Sequence, residues 1–104
     1  MDWSHKENKR LIQAILILKT SKETSDFLRD ILTEKEIKEI ARRLQAAEML
    51  SKNILYSEIA RETGFSSTTI ARVSKWLNNG KGGYKNILDK LSHHDSVQKK
   101  RELS

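Results

Sequence analysis

The chain has 104 residues, no cysteine, no proline and four glycines, with 37% hydrophobic and 33% charged residues. That length makes one domain near the lower limit for a self-sufficient core, and the composition excludes a disulfide framework and a thiolate zinc site while favouring a helical soluble protein over disorder. The net charge of +6 suits either a solubilising basic face or a polyanionic partner.

In chain order, five or six helices and no strand signal give an all-α fold. Residues 4–19 carry Leu11, Ile12, Ile15, Leu16 and Leu18 on a broad helical stripe. The polar stretch 20–23 interrupts it, and Thr24 or Ser25 offers a cap for a short helix ending near Leu32. Residues 33–36 (TEKE) form a capping box, in which the threonine side chain takes an open amide and the glutamate reaches back. The helix it opens runs to about Ser51, with Ile37, Ile40, Ala41, Leu44, Ala47 and Met49 or Leu50 inward. Asn53 is its expected stop, because asparagine tolerates left-handed backbone. Two short helices then occupy residues 57–77. The Asn/Gly stretch 78–83 breaks the chain, and residues 84–91 make a last short amphipathic helix. The expected layout is one domain over 1–91 and a polar, fraying tail over 92–104.

No run approaches the ~20 apolar residues of a membrane span. The longest, residues 14–18 (AILIL), is far shorter, and residues 1–10 lack a signal-peptide pattern. A cytoplasmic protein with no membrane partner is expected. Ile12, Ile15, Leu16, Ile17 and Leu18, with Leu28, Ile31 and Leu32, are too apolar all round for a one-sided surface helix, and a chain this short has little to cover them with. A homodimer with these helices at its centre is the economical expectation.

Residues 57–76 read SEIARETGFSSTTIARVSKW. Ala60, Gly64 and Ile70 fall in the register of a helix-turn-helix, and Ile59, Phe65 and Val73 fill its other apolar slots. Ala60 permits close crossing of the helices, Gly64 supplies a positive φ, and Ile70 and Val73 hold the second helix down. Ser66, Ser67, Thr68, Thr69, Arg72 and Lys75 are left outward near the start of that helix, the end that enters the DNA major groove in this motif. Short hydroxyls allow close approach to phosphates or base edges, and an arginine can take a guanine edge or clamp a phosphate. From residue 63 to 85 there is no acid, while Arg72, Lys75, Lys81 and Lys85 are basic. An ordinary helical hairpin is the bland alternative for the same pattern. The segment 80–83 with Lys85 reads either as a flexible basic wing against the phosphate backbone or as an interhelical turn.

Other candidates are weaker. His93, His94 and Asp95 are adjacent and terminal, so a solvated tail is a better reading than a metal site. Glu58 and Glu62 lie one turn apart beside Arg61, as on a solvated helix face. No cluster recommends itself for nucleophilic catalysis, so no enzyme is expected. Trp3 is read as a packing residue.

The segments ILTEKEIKEIARRLQAAEML and SEIARETGFSSTTIARVSKWL, within residues 3–91, resemble the Trp repressor family and, inside it, the YerC/YecD-like subgroup. The resemblance implies an intertwined, all-helical homodimer with two reading heads on double-stranded DNA. It also implies a ligand pocket at Thr33, Arg43, Arg72, Val73 and Trp76. Arg43 stands where the family's arginine packs on an indole, Arg72 where another meets the amino acid's carboxylate, and residues 32–33 where the long helix begins. Two positions depart from the pattern. Val73 replaces a glycine that makes room for the ring, and Trp76 replaces a serine. The expectation is therefore no cofactor, with L-tryptophan disfavoured as corepressor and Trp76 a candidate built-in substitute. The function expected is a sequence-specific DNA-binding transcriptional regulator, a repressor by resemblance. The alternative is an interaction or assembly module that docks replication or transcription machinery through the same motif.

Overall fold

The computed structural model describes residues 1–103. These hold six helices and no strand: α1 (Lys6–Leu16), α2 (Ser21–Ile31), α3 (Glu34–Ser51), α4 (Tyr56–Thr63), α5 (Ser67–Asn79) and α6 (Gly83–Leu103). They form two compact units, Met1–Lys38 and Glu39 onward, with the boundary inside α3.

In the first unit the break between α1 and α2 falls earlier than the sequence suggests. Thr20 is extended (φ −118°, ψ 158°) and its hydroxyl accepts from the Glu23 amide at 3.0 Å, so the cap is Thr20 and neither Thr24 nor Ser25. Residues 20–23 (TSKE) are themselves of capping-box type. The Thr24 hydroxyl instead donates to the Thr20 carbonyl, and that of Ser25 to Lys22. The box at α3 is as expected: the Glu36 amide donates to Thr33 Oγ1 at 3.1 Å, and the Thr33 amide to Glu36 Oε1 at 2.9 Å. Neither α1 nor α2 contains a buried residue, and Leu16 and Ile17 stand 76% and 71% exposed. Trp3, expected to pack, is more than half exposed.

In the second unit the core is Ala46 and Ala47 of α3, Ile59 of α4, and Ile70 and Val73 of α5, all fully buried. Met49, Leu50, Ile54, Ala60, Phe65, Tyr84 and Leu88 pack around them. Burying each of the larger three, Ile59, Ile70 and Val73, contributes on the order of 1.5–3 kcal/mol. Ile40 and Ala41, expected inward, are exposed. At 3.6 residues per turn the apolar stripe 37-40-41-44 is turned by roughly 120° from the stripe 43-46-47-50, so both cannot face one core. The helix ends as expected at Asn53, whose φ is 59°, with the Asn53 and Ile54 amides closing on the Leu50 and Met49 carbonyls.

The last helix is longer than expected. Residues 92–103, anticipated as a fraying tail, continue α6; residue 104 lies outside the described residues. Residues 84–103 contain no glycine or proline, and once Tyr84 and Leu88 anchor the first turns each further residue adds a hydrogen bond at little cost. Lys100 and Arg101 in the last turn complement the helix dipole. No described helix is long and apolar enough to cross a membrane.

Candidate nucleic-acid interface

Helices α4 and α5 form the helix-turn-helix. Gly64 ends α4 in the left-handed conformation (φ 75°, ψ 5°), and Ser66 opens α5 two residues later. Thr63 holds the turn shut. Its buried hydroxyl donates to the Ile59 carbonyl at 2.7 Å and accepts from the Phe65 amide at 3.2 Å. The sequence reading missed this role; the signal available was a threonine directly before the turn glycine, a position where a hydroxyl reaches both neighbouring backbone groups.

The hydroxyl run is divided in its duties. Ser66 is the N-cap: its Oγ accepts from the Thr69 amide at 3.2 Å and shares a hydrogen bond with the Thr69 hydroxyl at 3.1 Å. Thr69 is half-buried as a result, while Ser66, Ser67 and Thr68 are exposed. Ile70, Val73 and Leu77 turn inward. At 100° per residue the side of α5 opposite them carries Thr68, Ala71, Arg72 and Lys75, with Ser67 on a flank. Ala71, exposed and without a polar group, belongs to this outward face and was not singled out from the sequence. Lys81 is exposed in the turn after α5, and Lys85 is exposed in the first turns of α6. That turn is compact, with Gly80 capping α5 and Gly82 at φ 85°.

The electrostatics of this face differ from those of the neighbouring helices. Among the described residues, Arg72, Lys75, Lys81 and Lys85 make no ion pair, whereas Arg61 pairs with Glu58 and Glu62, Lys52 with Glu48, and Arg43 with Glu39. The paired carboxylates of α4 are thus engaged on a solvated face. His94 lies 3.7 Å from Asp95 on α6, and no group of metal-ligating side chains occurs among the described residues.

The residues assigned by resemblance to a ligand pocket are only partly brought together. Arg43 places its guanidinium carbon 5.4 Å from the centroid of the Trp76 ring, within cation–π range. Val73 is sealed in the core, and Arg72 is exposed. Thr33, in the first unit, has its amide and hydroxyl engaged with Glu36.

Comparison with known proteins agrees with this fold. The family model described as Trp repressor protein matches residues 6–92. YerC of Bacillus subtilis (strain 168) is 38% identical over 91 residues, which cover 88% of each chain. A crystal structure of a TrpR-like protein from Eubacterium eligens is similar at 38% identity and a TM-score of 0.83, covering 86% of this chain and 93% of that one. That of a candidate Trp repressor from Staphylococcus aureus is similar at 34% identity and a TM-score of 0.82, covering 88% and 95%.

Proposed function

Because this chain belongs to the Trp repressor family, we propose that it is a DNA-binding transcriptional regulator acting as a homodimer in the cytoplasm. The observation that carries the reading is the outward face of α5. A helix held down by Ile70 and Val73 presents Thr68, Arg72 and Lys75 with uncommitted charge, and exposed Lys81 and Lys85 close a sequence span, residues 63–85, that holds no acid. Thr68 and Arg72 reach base edges near the helix start, while Lys75, Lys81 and Lys85 neutralise phosphates. The uncovered apolar residues of the first unit support the dimer: Leu11, Ile12, Ile15, Leu16, Ile17 and Ile31 are exposed in the isolated chain. Two-fold symmetry then gives two heads and a pseudo-palindromic site. Helix-turn-helix dimers, Trp repressors among them, place half-sites about one helical turn apart.

The test is selection of bound fragments from random duplex DNA at two salt concentrations. Enrichment of a pseudo-palindrome, with affinity falling steeply as salt rises, is the expected result, since each neutralised phosphate releases counterions. Binding without enrichment, or none at moderate salt, would overturn the reading in favour of a module that docks a protein partner through the same motif.

A further inference from the structure

Helix α5 has a third side, between its core face and its outward face. Thr69 and Trp76 lie there, and Arg72, at the edge of the outward face, stands between them at spacings of three and four residues. Trp76 remains 43% exposed, although an indole on a solvated helix gains nothing by being there unless it touches something. What it touches is Arg43 of α3, whose guanidinium carbon stands 5.4 Å from the ring centroid. Arg43 is also held by Glu39 of its own helix, Nη2 to Oε1 at 3.3 Å. Its Nε is buried and has no hydrogen-bond partner. A donor in that state is costly, so the side chain keeps this pose through its contacts at the guanidinium end: the ring and the carboxylate.

From this geometry we infer that Arg43 and Trp76 are positioning residues, a strut that fixes the rotation of α5 against α3 and lets the helix read DNA without a diffusible aromatic effector. The inference rests on α5 being the DNA-reading helix. Arg72 lies one turn before Trp76, so any rotation of α5 that lifts the indole off Arg43 re-aims Arg72 by the same angle. The guanidinium face turned toward α5 is already occupied by a covalently attached ring. Val73, three residues before Trp76 on α5, is sealed in the core and offers no open position of its own. An indole-like ligand would therefore find its place only after the Trp76 side chain had been removed.

The experiment compares wild type, Trp76→Phe, Trp76→Ala and Arg43→Met on one selected duplex, with and without millimolar indole or L-tryptophan. Backbone amide exchange across residues 67–79 is followed without DNA. Wild-type affinity is expected to ignore both additives. Trp76→Phe stays within about twofold of wild type, while Trp76→Ala and Arg43→Met lose roughly 2- to 30-fold. Exchange in α5 quickens in both of the latter. Indole restores part of the affinity of Trp76→Ala alone. Arg43→Met keeps side-chain volume and so carries the test even where the cavity in Trp76→Ala unfolds the chain. A folded Trp76→Ala that binds like wild type with unchanged exchange would overturn the strut. So would a loss that indole cannot restore while exchange stays unchanged, because the ring would then be touching DNA and not positioning the helix. Failure of the wild type to bind any duplex is a separate result; it removes the DNA reading, and this inference with it.

Discussion

Ser66 Oγ lies 3.2 Å from the Thr69 amide and 3.1 Å from the Thr69 hydroxyl, so the cap of α5 and the first residues it would offer to DNA are one hydrogen-bonded unit. Stability and binding can be separated here by charge. Ser66→Ala removes the acceptor and is expected to cost about 1 kcal/mol of unfolding free energy. Ser66→Asp keeps a good cap and adds a charge that suits the helix N-terminus, so stability stays within about 0.5 kcal/mol of wild type or rises. On the proposed DNA-binding face the same carboxylate would meet phosphates, so DNA affinity is expected to fall. Urea unfolding alongside DNA titration checks both signs, and a Ser66→Asp protein that binds DNA as well as wild type would place Ser66 away from the backbone.

Arg72 and Lys75 share the outward face but differ in chemistry, so their removal is expected to differ in kind. Arg72→Ala should cost ~1–3 kcal/mol on the selected duplex and flatten preference at one base position. Lys75→Ala should weaken binding evenly across sequences and lower the salt slope by about 0.9, the loss of one phosphate contact. Titrations on matched and mismatched duplexes at several salt concentrations distinguish the two. If Arg72→Ala weakened every duplex equally, its role would be phosphate contact alone.

Two glycines bound α5 for different reasons. Gly64 sits at φ 75° with open space where a Cβ would be, so Gly64→Ala incurs only the left-handed backbone penalty, roughly 1–2 kcal/mol. Gly80 has an ordinary φ of −81°, but a Cβ there would run into the Trp76 carbonyl oxygen, so the backbone must move. Gly80→Ala is expected to lower the urea midpoint more than Gly64→Ala, and to displace the turn that carries Lys81. Equal midpoints would show that the turn relaxes freely.

The helix-turn-helix was legible because its signals are local: Gly64 between two apolar-periodic segments, hydroxyls at a helix start, and the Thr33/Glu36 box. Each acts within three or four residues, and the structure places each as its local chemistry requires. What was misjudged depended on competition or on partners. Thr20 and Thr24 are equally good caps in isolation; the structure caps α2 with Thr20, whose hydroxyl accepts from the Glu23 amide. The length of α6 was hidden because its polar residues match a solvated helix as well as a tail. Ile40 looked like core because apolar residues imply burial without naming the surface that buries them. Arg43 and Trp76 are 33 positions apart in the sequence, and no periodicity links them; only their assignment to one pocket by resemblance put them side by side.

The Thr33/Glu36 box predicts a pH dependence with a definite sign. Hydrogen bonds from the Thr33 amide, and then from the threonine side chain, hold the Glu36 carboxyl below its ordinary value of 4.5. A carboxylate depressed in the folded state contributes stability above its unfolded pKa and loses it as pH falls through the folded one. The difference in unfolding free energy between wild type and Glu36→Ala should therefore be constant above pH 4.5 and shrink as the solution is acidified below it. Paired denaturation curves at neutral and acid pH test this; a difference that widened on acidification would show that the carboxylate form is not the one that caps α3.

The apolar surface of the first unit makes the last prediction. Leu16 is 76% exposed and Ile15 48% in the isolated chain, on a helix with no buried residue. Covering such a side chain contributes ~1.5–3 kcal/mol, and several of them on each of two chains are enough to hold a small dimer together. Wild type should therefore sediment as a dimer at micromolar concentration. Leu16→Glu puts a carboxylate where an apolar contact is needed and should shift the protein toward monomer, whereas Leu16→Met, which keeps volume and polarity, should not. Because two linked heads bind far more tightly than one, Leu16→Glu should also lose affinity for a full pseudo-palindrome while changing little on a single half-site. A wild type that sediments as a monomer would leave these leucines and isoleucines to another partner and remove the symmetry argument for the DNA site.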